Sequence, residues 1–346
     1  MMTMQDNQDD ASFSAAAIPP IVVAGIIDFG NKQGLTAEHW IRGTGLSLQQ
    51  IYQPQTLVSF RQTAMVIRRA LRDFPDAPLG LRLGAQTGLV SFGMLGFAMM
   101  SCSNLKQAFE VGIEHHQAAG SLMNVEAHSD PHETALELIE RFVQPELLPF
   151  LCEEVFSSSF TLFKQINPNF SSLRRIELSY AAPRYAAEYE LFFQCPVLFN
   201  QPANKLVFSS ALLNESIATY SPASLSTTLF ACNQLVKPES ITPDMISSIG
   251  QLLRAHLPVR LSMLQVAQML NVTERTLRRN LTELDTSFSV LRDGVLQQQA
   301  KHMLSTTDTS IGDVSSALGF SDLRDFRRAF QRWTGVSPSE FRKSLS

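Results

Sequence analysis

One pattern occurs twice in the last quarter of the chain, and this repeat limits the fold more than any other feature of the sequence. In the second copy Ile311, Val314 and Leu318 step by three and four residues, the spacing of one helix face. Gly319 follows where a helix needs a left-handed stop. Ser321 or Asp322 offers an N-cap for a second helix. That helix carries Leu323, Phe326, Phe330 and Trp333 on one side, and Arg324, Arg327, Arg328 and Gln331 on the other at i, i+3, i+4 and i+7. In the first copy Leu264, Val266, Ala267 and Leu270 predict the inward face of a leading helix. Asn271 takes the left-handed position and Thr273 the cap. Leu277, Leu281 and Leu284 then point inward, while Arg275, Arg278, Arg279 and Thr282 point outward with the same spacing. Between the copies, Phe288 to Leu304 reads as a single helix about 24 Å long. The expectation is an all-α C-terminal domain of two helix-turn-helix units joined by a linker helix. That length suits two recognition helices held about 34 Å apart, one turn of DNA.

A solvated charged face is the ordinary explanation for a run of arginines on a helix. Two copies at matched spacing reverse that reading. The candidate DNA-contact set is Thr273, Glu274, Arg275, Thr276, Arg278 and Arg279 in the first unit. In the second it is Ser321, Asp322, Arg324, Asp325, Arg327 and Arg328. An arginine aimed into a groove grips guanine O6 and N7 in two bonds, although many such contacts go to phosphate instead. Asp325 is read as orienting Arg328 rather than accepting from cytosine, and Leu323 as buried rather than touching a thymine methyl.

Charge distribution supports a nucleic-acid module at this end. The whole chain has a net charge of −4, but Ala255–Ser346 holds twelve Lys+Arg against nine Asp+Glu, a net of +3, which leaves −7 for the remainder. The four cysteines are far apart, with no CxxC, and read as buried thiols of a reduced cytoplasm. Ile21–Ile27 is too short to cross a bilayer and the N-terminus lacks a basic leader, so a cytoplasmic protein without membrane insertion is expected.

Residues Val259–Lys343 resemble the DNA-binding domain of the AraC/XylS family of bacterial transcription regulators. The resemblance rests on Ile311, Val314, Gly319, Phe320, Phe326, Arg328, Phe330, Gly335, Ser337, Pro338, Phe341 and Arg342, which follow the family signature. Three positions depart from it. Ser315 replaces a usual alanine, Arg324-Asp325 stands where Ser or Thr commonly precedes the phenylalanine, and Leu296 where the linker helix often has arginine. The second departure changes the base-reading surface, so no family operator sequence transfers to this chain.

Along the N-terminal part, residues 1–17 read as a disordered lead-in, and Ile21–Phe74 as helical. A Gly/Met/Phe-rich segment follows to Met100, and then a helix capped by Ser103 or Asn104. Asn124–His128 and Thr134–Glu140 alternate as a hairpin around Ser129–His132. Pro145 opens a helix to Ile166, Arg175–Tyr180 reads as a strand, Pro183–Phe193 as a helix, and Val197–Phe199 and Lys205–Phe208 as further strands. This predicts an α+β sensor domain with a small antiparallel sheet. Ser221–Asp244, rich in Ser, Thr, Pro and Asn and with weak helical pieces such as Leu225–Val236, reads as linker. The expected domains are 18–213 for effector binding and dimerisation, 214–244 for the linker, and 245–344 for DNA binding.

Leu79-Gly-x-Arg-x-Gly84, Gly93-x-Leu-Gly96, Ser103-Asn-Leu-x-x-Ala108 and Asn204-x-Leu-x-Phe208 are similar to the arabinose-binding-type effector domain of a subgroup of that family. The subgroup includes regulators of ornithine and arginine use and of quorum-linked virulence. What the resemblance implies is a ligand-responsive, sequence-specific DNA-binding regulator, usually an activator, that dimerises and works with RNA polymerase at promoter DNA. The effector class stays open between amino-acid-like and fatty-acid-like molecules. Phe92, Met94, Phe97, Met99 and Met100 suit an apolar pocket or plain core. No cofactor or metal is expected. His115-His116 and His128-x-Asp130-x-His132-Glu133 lack a placed third ligand, and the glycines of 80–96 form no phosphate loop and fit close packing or turns better. Two other functions remain at this point: a constitutive DNA-binding protein whose N-terminal half only dimerises, and an enzyme fused to a DNA-binding module, for which no titratable groups converge in the sequence.

Overall fold

In chain order the helices are α1 (Ile21–Lys32), α2 (Glu38–Ile41), α3 (Leu48–Ile51), α4 (Phe60–Asp73), α5 (Leu79–Gln86), α6 (Gly93–Met100), α7 (Leu105–Glu114), α8 (Leu148–Ile166), α9 (Ala187–Phe193), α10 (Pro222–Leu235), α11 (Asp244–Ala255), α12 (Met263–Met269), α13 (Glu274–Glu283), α14 (Phe288–Thr306), α15 (Ile311–Ala317), α16 (Leu323–Thr334) and α17 (Pro338–Lys343). The strands are β1 (Met123–Ser129), β2 (Glu133–Glu140), β3 (Arg175–Glu177), β4 (Val197–Leu198) and β5 (Asn204–Ser209). The structure is a computed structural model. It describes residues 11–344 apart from Asn169, Ser171 and 236–241, with Val90 and Leu235 described in the backbone only. The described residues fall into two compact units. One runs to Trp40 and resumes from Leu57 through α10; the other takes Ile41–Thr56 and everything from Thr242 onward.

The first unit is α+β. Its sheet has the order β1-β2-β5-β3-β4. β1 and β2 form the expected hairpin, with Met123 opposite Glu140 and Ser129 opposite Thr134. β5 lies antiparallel to both β2 and β3. The β3–β4 pair is parallel, so the sheet is mostly rather than wholly antiparallel; α9 carries the chain across between those two strands. Leu136, Leu138, Leu206 and Phe208 turn into the core, where Phe208 meets Phe109 and Phe170 edge to face.

Helix α8 is the spine of this unit. Twelve of its 19 residues are buried, Glu153, Ser157 and Ser158 among them, which fits a helix enclosed by neighbours. α5 packs against it with no room for side chains at two points. A Cβ on Gly80 would lie 2.3 Å from the Phe150 carbonyl oxygen, and one on Gly84 1.9 Å from Ser157 Oγ. Close helix packing, not phosphate binding, accounts for both glycines.

Two expectations for this unit fail. Within the expected disordered lead-in, residues 11–17 are ordered: Phe13 is buried, edge-on to Phe142, and its carbonyl accepts from Arg61 N. Residues 1–10 lie outside the described residues. The helical pieces expected at Leu225–Val236 form a complete helix, α10, but it packs on α6 with Cys232 fully buried, so this part of Ser221–Asp244 belongs to the first unit rather than to a linker; residues 236–241 lie outside the described residues.

In the second unit α14 serves two cores. Phe288 and Val295 join Val266, Ala267, Leu270, Leu277 and Leu281, together with Ile249 and Leu252 of α11. Leu296, Ala300 and Leu304 join Val314, Leu318, Phe326 and Phe330. Buried positions along the helix therefore serve one core and then the other. Ile41–Thr56 belongs to this unit too. Ser47 and Gln50 form a capping box that starts α3, and Gln50 Nε2 donates to the Ser248 carbonyl on α11 at 2.8 Å.

Candidate nucleic-acid interface and effector cavity

Each helix-turn-helix is set by a left-handed residue and a cap. Asn271 (φ 53°) and Gly319 (φ 76°) take the two turns. Gly319 is required for a second reason: a Cβ there would lie 2.0 Å from the Pro258 carbonyl oxygen. Thr273 Oγ1 accepts from Thr276 N at 3.1 Å to start α13, and of the two candidate caps it is Asp322, accepting from Arg324 N at 2.7 Å, that starts α16. Leu277, Leu281, Phe326 and Phe330 are buried as expected. Leu264 is not: it is 52 % exposed, because it lies about 200° around the helix from the buried Val266. Leu323 is half-buried against the second core.

The twelve candidate contact residues collect at the starts of α13 and α16, and all six of their arginines are exposed. The two sets differ electrostatically. In α13, Arg278 pairs with Glu274 at 2.9 Å and Arg279 with Glu283 at 3.5 Å. In α16, Arg324, Arg327 and Arg328 carry no ion pair among the described residues, while Arg332 is held by Asp293 of α14 at 2.7 Å. Among the described residues no hydrogen bond or ion pair joins Asp325 to Arg328. Sequence reasoning missed Arg260, which stacks over Phe320 at 4.7 Å and ties the segment before α12 to the second core.

The first unit encloses a cavity of about 80 Å³ between α1, α6, α7, α8 and the first hairpin. Phe92 and Met99 line it, as the Phe/Met segment allowed, beside Leu95, Phe109, Ile113 and Phe163. Met94, Phe97 and Met100 do not line it, and Phe97 is exposed. His116 reaches the same cavity; its Nδ1 bonds the Ile113 carbonyl and its buried Nε2 has no partner. Burial lowers its basicity.

Two adjacent glutamates on α8 are the main feature sequence reading passed over. Glu153 accepts from Tyr189 and Tyr185 hydroxyls at 2.5 and 2.9 Å and from Gly80 and Leu81 amides at 3.1 and 3.3 Å. Burial outweighs these four donors and pushes its carboxyl up to about 7. Glu154 faces the cavity and has no hydrogen-bond or ion-pair partner among the described residues; burial alone pushes it up to about 7. Crowded by protein, it retains surface that belongs to the cavity. The available signal was two consecutive acids in the second turn of a helix whose flanking positions, Leu151, Cys152, Val155 and Phe156, are apolar.

The His128–His132 cluster behaves as a hairpin element, whereas His115 is buried and His116 lines the cavity. Asp130 Oδ1 accepts from His132 N and Glu133 N in the hairpin turn, and His128 Nε2 lies 2.9 Å from Glu137 across the strands. Among the described residues no group of three or more His, Cys, Asp or Glu is placed to hold a metal. All four cysteines are free and buried, and no described helix is long and apolar enough to cross a membrane.

Comparison with known proteins bears on both regions. Residues 34–217 match the family described as the arabinose-binding domain of AraC transcription regulator, N-terminal, and residues 266–344 match a helix-turn-helix domain family. The ornithine utilization regulator of Pseudomonas aeruginosa is 24 % identical over 333 residues, covering 96 % of this chain and 98 % of its own. The HTH-type transcriptional regulator VqsM of the same organism is 25 % identical over 77 % of this chain and 84 % of its own. The crystal structure of transcriptional regulator CdpR from P. aeruginosa covers 89 % of this chain and 98 % of its own, at 24 % identity and a TM-score of 0.42.

Proposed function

The chain belongs to the AraC family of transcription regulators, and we propose that it is a ligand-responsive activator. In this reading α13 and α16 enter two successive major grooves of promoter DNA from one protomer. The observation that carries it is the repeat itself: two capped recognition helices built on one shared helix, α14, each presenting arginines at i, i+3 and i+4. Residues 245–344 are assigned to DNA and 18–213 to effector binding and dimerisation. Thr273, Glu274, Arg275, Thr276, Arg278 and Arg279, with Ser321, Asp322, Arg324, Asp325, Arg327 and Arg328, form the contact set. Arg324, Arg327 and Arg328 are free to reach DNA at once, whereas Arg278 and Arg279 must first leave their glutamates. Effector binding would favour one arrangement of the chain and raise occupancy of paired sites beside RNA polymerase. The setting is the cytoplasm, and the working species a homodimer.

The test is selection of bound fragments from randomised DNA with the full chain. Two half-sites about one helical turn apart per protomer are expected. Arg328→Ala should weaken binding by about 10- to 100-fold and relax preference within one half-site only, whereas loss that is uniform over all sequences would make Arg328 a phosphate contact. Selection of no sequence would remove the reading.

A further inference from the structure

We propose that the cavity of the first unit takes a small amine, with its apolar body against Phe92, Leu95, Met99 and Phe163 and its ammonium group on the Glu154 carboxylate. This deepens the ligand-responsive reading above and rests on it. Glu154 carries the argument. A carboxylate crowded by protein and left without a donor costs several kcal/mol unless it takes a proton or a counter-charge arrives, and Glu153, one residue earlier on the same helix, shows how this fold satisfies a buried acid when no ligand is involved. Glu153 has four donors; Glu154 has none among the described residues. What Glu154 has instead is open space.

That space has two parts. The inner cavity, about 80 Å³, is lined mainly by apolar side chains. It is about half the size of a ~150 Å³ cavity that admits benzene, so it holds the alkyl end of a short chain while the head group stays at the Glu154 junction. Glu154, with Ile21, Val22, Thr87 and Ser91, also borders a second space of about 370 Å³, which Asp28, Lys32 and Gln86 line on its far side. The carboxylate thus stands at the junction, with apolar walls inward and polar ones outward. A ligand head group meets Glu154 whichever side it enters from.

The chemistry of the inner walls opposes an anionic head group on Glu154. No lysine or arginine lines the inner cavity among the described residues. A fatty acid with its tail inside would bring its own carboxylate against Glu154, and two like charges at contact repel. A sugar would leave most of its hydroxyls facing Phe, Leu and Met. An amine satisfies both features at once: its N–H groups supply the missing donors and its charge the missing counter-ion, while its carbon chain fills a space that water would occupy poorly.

The experiment compares three isosteres, n-butylamine, 1-butanol and butyrate, on the full chain and on Glu154→Gln, by calorimetric titration and thermal unfolding. The amine should bind the natural chain and raise its unfolding temperature. The alcohol should bind at least tenfold more weakly, and butyrate not at all. Glu154→Gln should bind the amine at least tenfold more weakly while keeping the alcohol, which shows that the cavity is intact. Butyrate or butanol binding as tightly as the amine would overturn the assignment and leave the ligand-responsive reading standing. So would amine binding unchanged in Glu154→Gln, and no binding by any of the three overturns the assignment too. Amine binding that leaves retention of selected DNA unchanged would support the assignment and count against ligand control.

Discussion

The two sides of α8 treat the same residue type in opposite ways. On one side Glu153 is met by two tyrosine hydroxyls and two backbone amides. Those amides reach it because Gly80 lets α5 approach, a Cβ there falling 2.8 Å from Glu153 Cβ. On the other side Glu154 meets empty space. Burial raises both acids to about 7, so an equal shift in proton affinity conceals unlike structural roles. Glu153 is a rivet whose partners are all internal. Glu154 is a half-made bond. A shifted pKa by itself says only that a group is desolvated; the donor count separates the two.

The contrast is broken most severely at the satisfied acid. Glu153→Ala takes the shared acceptor from two hydroxyls and two amides and should cost about 3–5 kcal/mol, read as a fall in the denaturant midpoint. A loss below about 1 kcal/mol would mean that water replaces the carboxylate and that the network is not structural.

Next in size is the pH dependence. Both carboxyls lie at about 7 in the folded chain against an ordinary value of 4.5. The folded chain therefore holds more protons than the unfolded one across that window. Stability is full below about 4.5 and is lost as pH rises through about 7, by on the order of 3 kcal/mol for each glutamate. Denaturation between pH 4.5 and 8 should show a falling slope in that window; a flat or rising profile would contradict the burial of both groups.

Glu154→Gln sharpens the comparison. It removes an uncompensated charge, so it should stabilise the protein at pH 8 by about 1–3 kcal/mol, leave it unchanged near pH 4.5, and halve the slope between. Glu153→Gln at pH 8 should not stabilise, since its amide nitrogen would oppose donors. Smallest is Tyr185→Phe, which removes one of two hydroxyls on the same Glu153 oxygen and should cost about 1 kcal/mol. An equal loss from Tyr185→Phe in a Glu153→Gln background would show that the hydroxyl acts elsewhere.

The helix-turn-helix pair was legible because most of what specifies it is local, the approach of Gly319 to Pro258 and the stacking of Arg260 on Phe320 being the exceptions. Asn271, Gly319, Thr273 and Asp322 act within one turn of their own positions, and Leu277 and Phe326 belong to short periodic runs. The one inward position misplaced there, Leu264, was assigned a face by hydrophobicity although its phase disagreed with Val266. The cavity was not legible, because its walls come from helices and strands more than a hundred residues apart in sequence, from Ile21 to Phe163. Phe92 and Met99 could be nominated from composition, but Met94, Phe97 and Met100 share that composition and point elsewhere. The lead-in and the linker were misjudged for the same reason. A polar neighbourhood suggests an unpacked chain, yet one buried Phe13 orders the first, and burial of Cys232 and Thr228 goes with the helix in the second.

The excursion of residues 41–56 also bears on how the protein can be cut. The backbone passes between the two units three times, after Trp40, after Thr56 and before Thr242. A regulator strung on one tether can be dissected or exchanged like a cassette. Here a fragment starting at Thr242 leaves behind Gln50, the donor to the Ser248 carbonyl, and a chimaera joined at that point inherits a docking strap made for another partner. Modularity in this chain stops short of the backbone, and recombination between relatives that respects only the obvious joint would separate pieces that fold together.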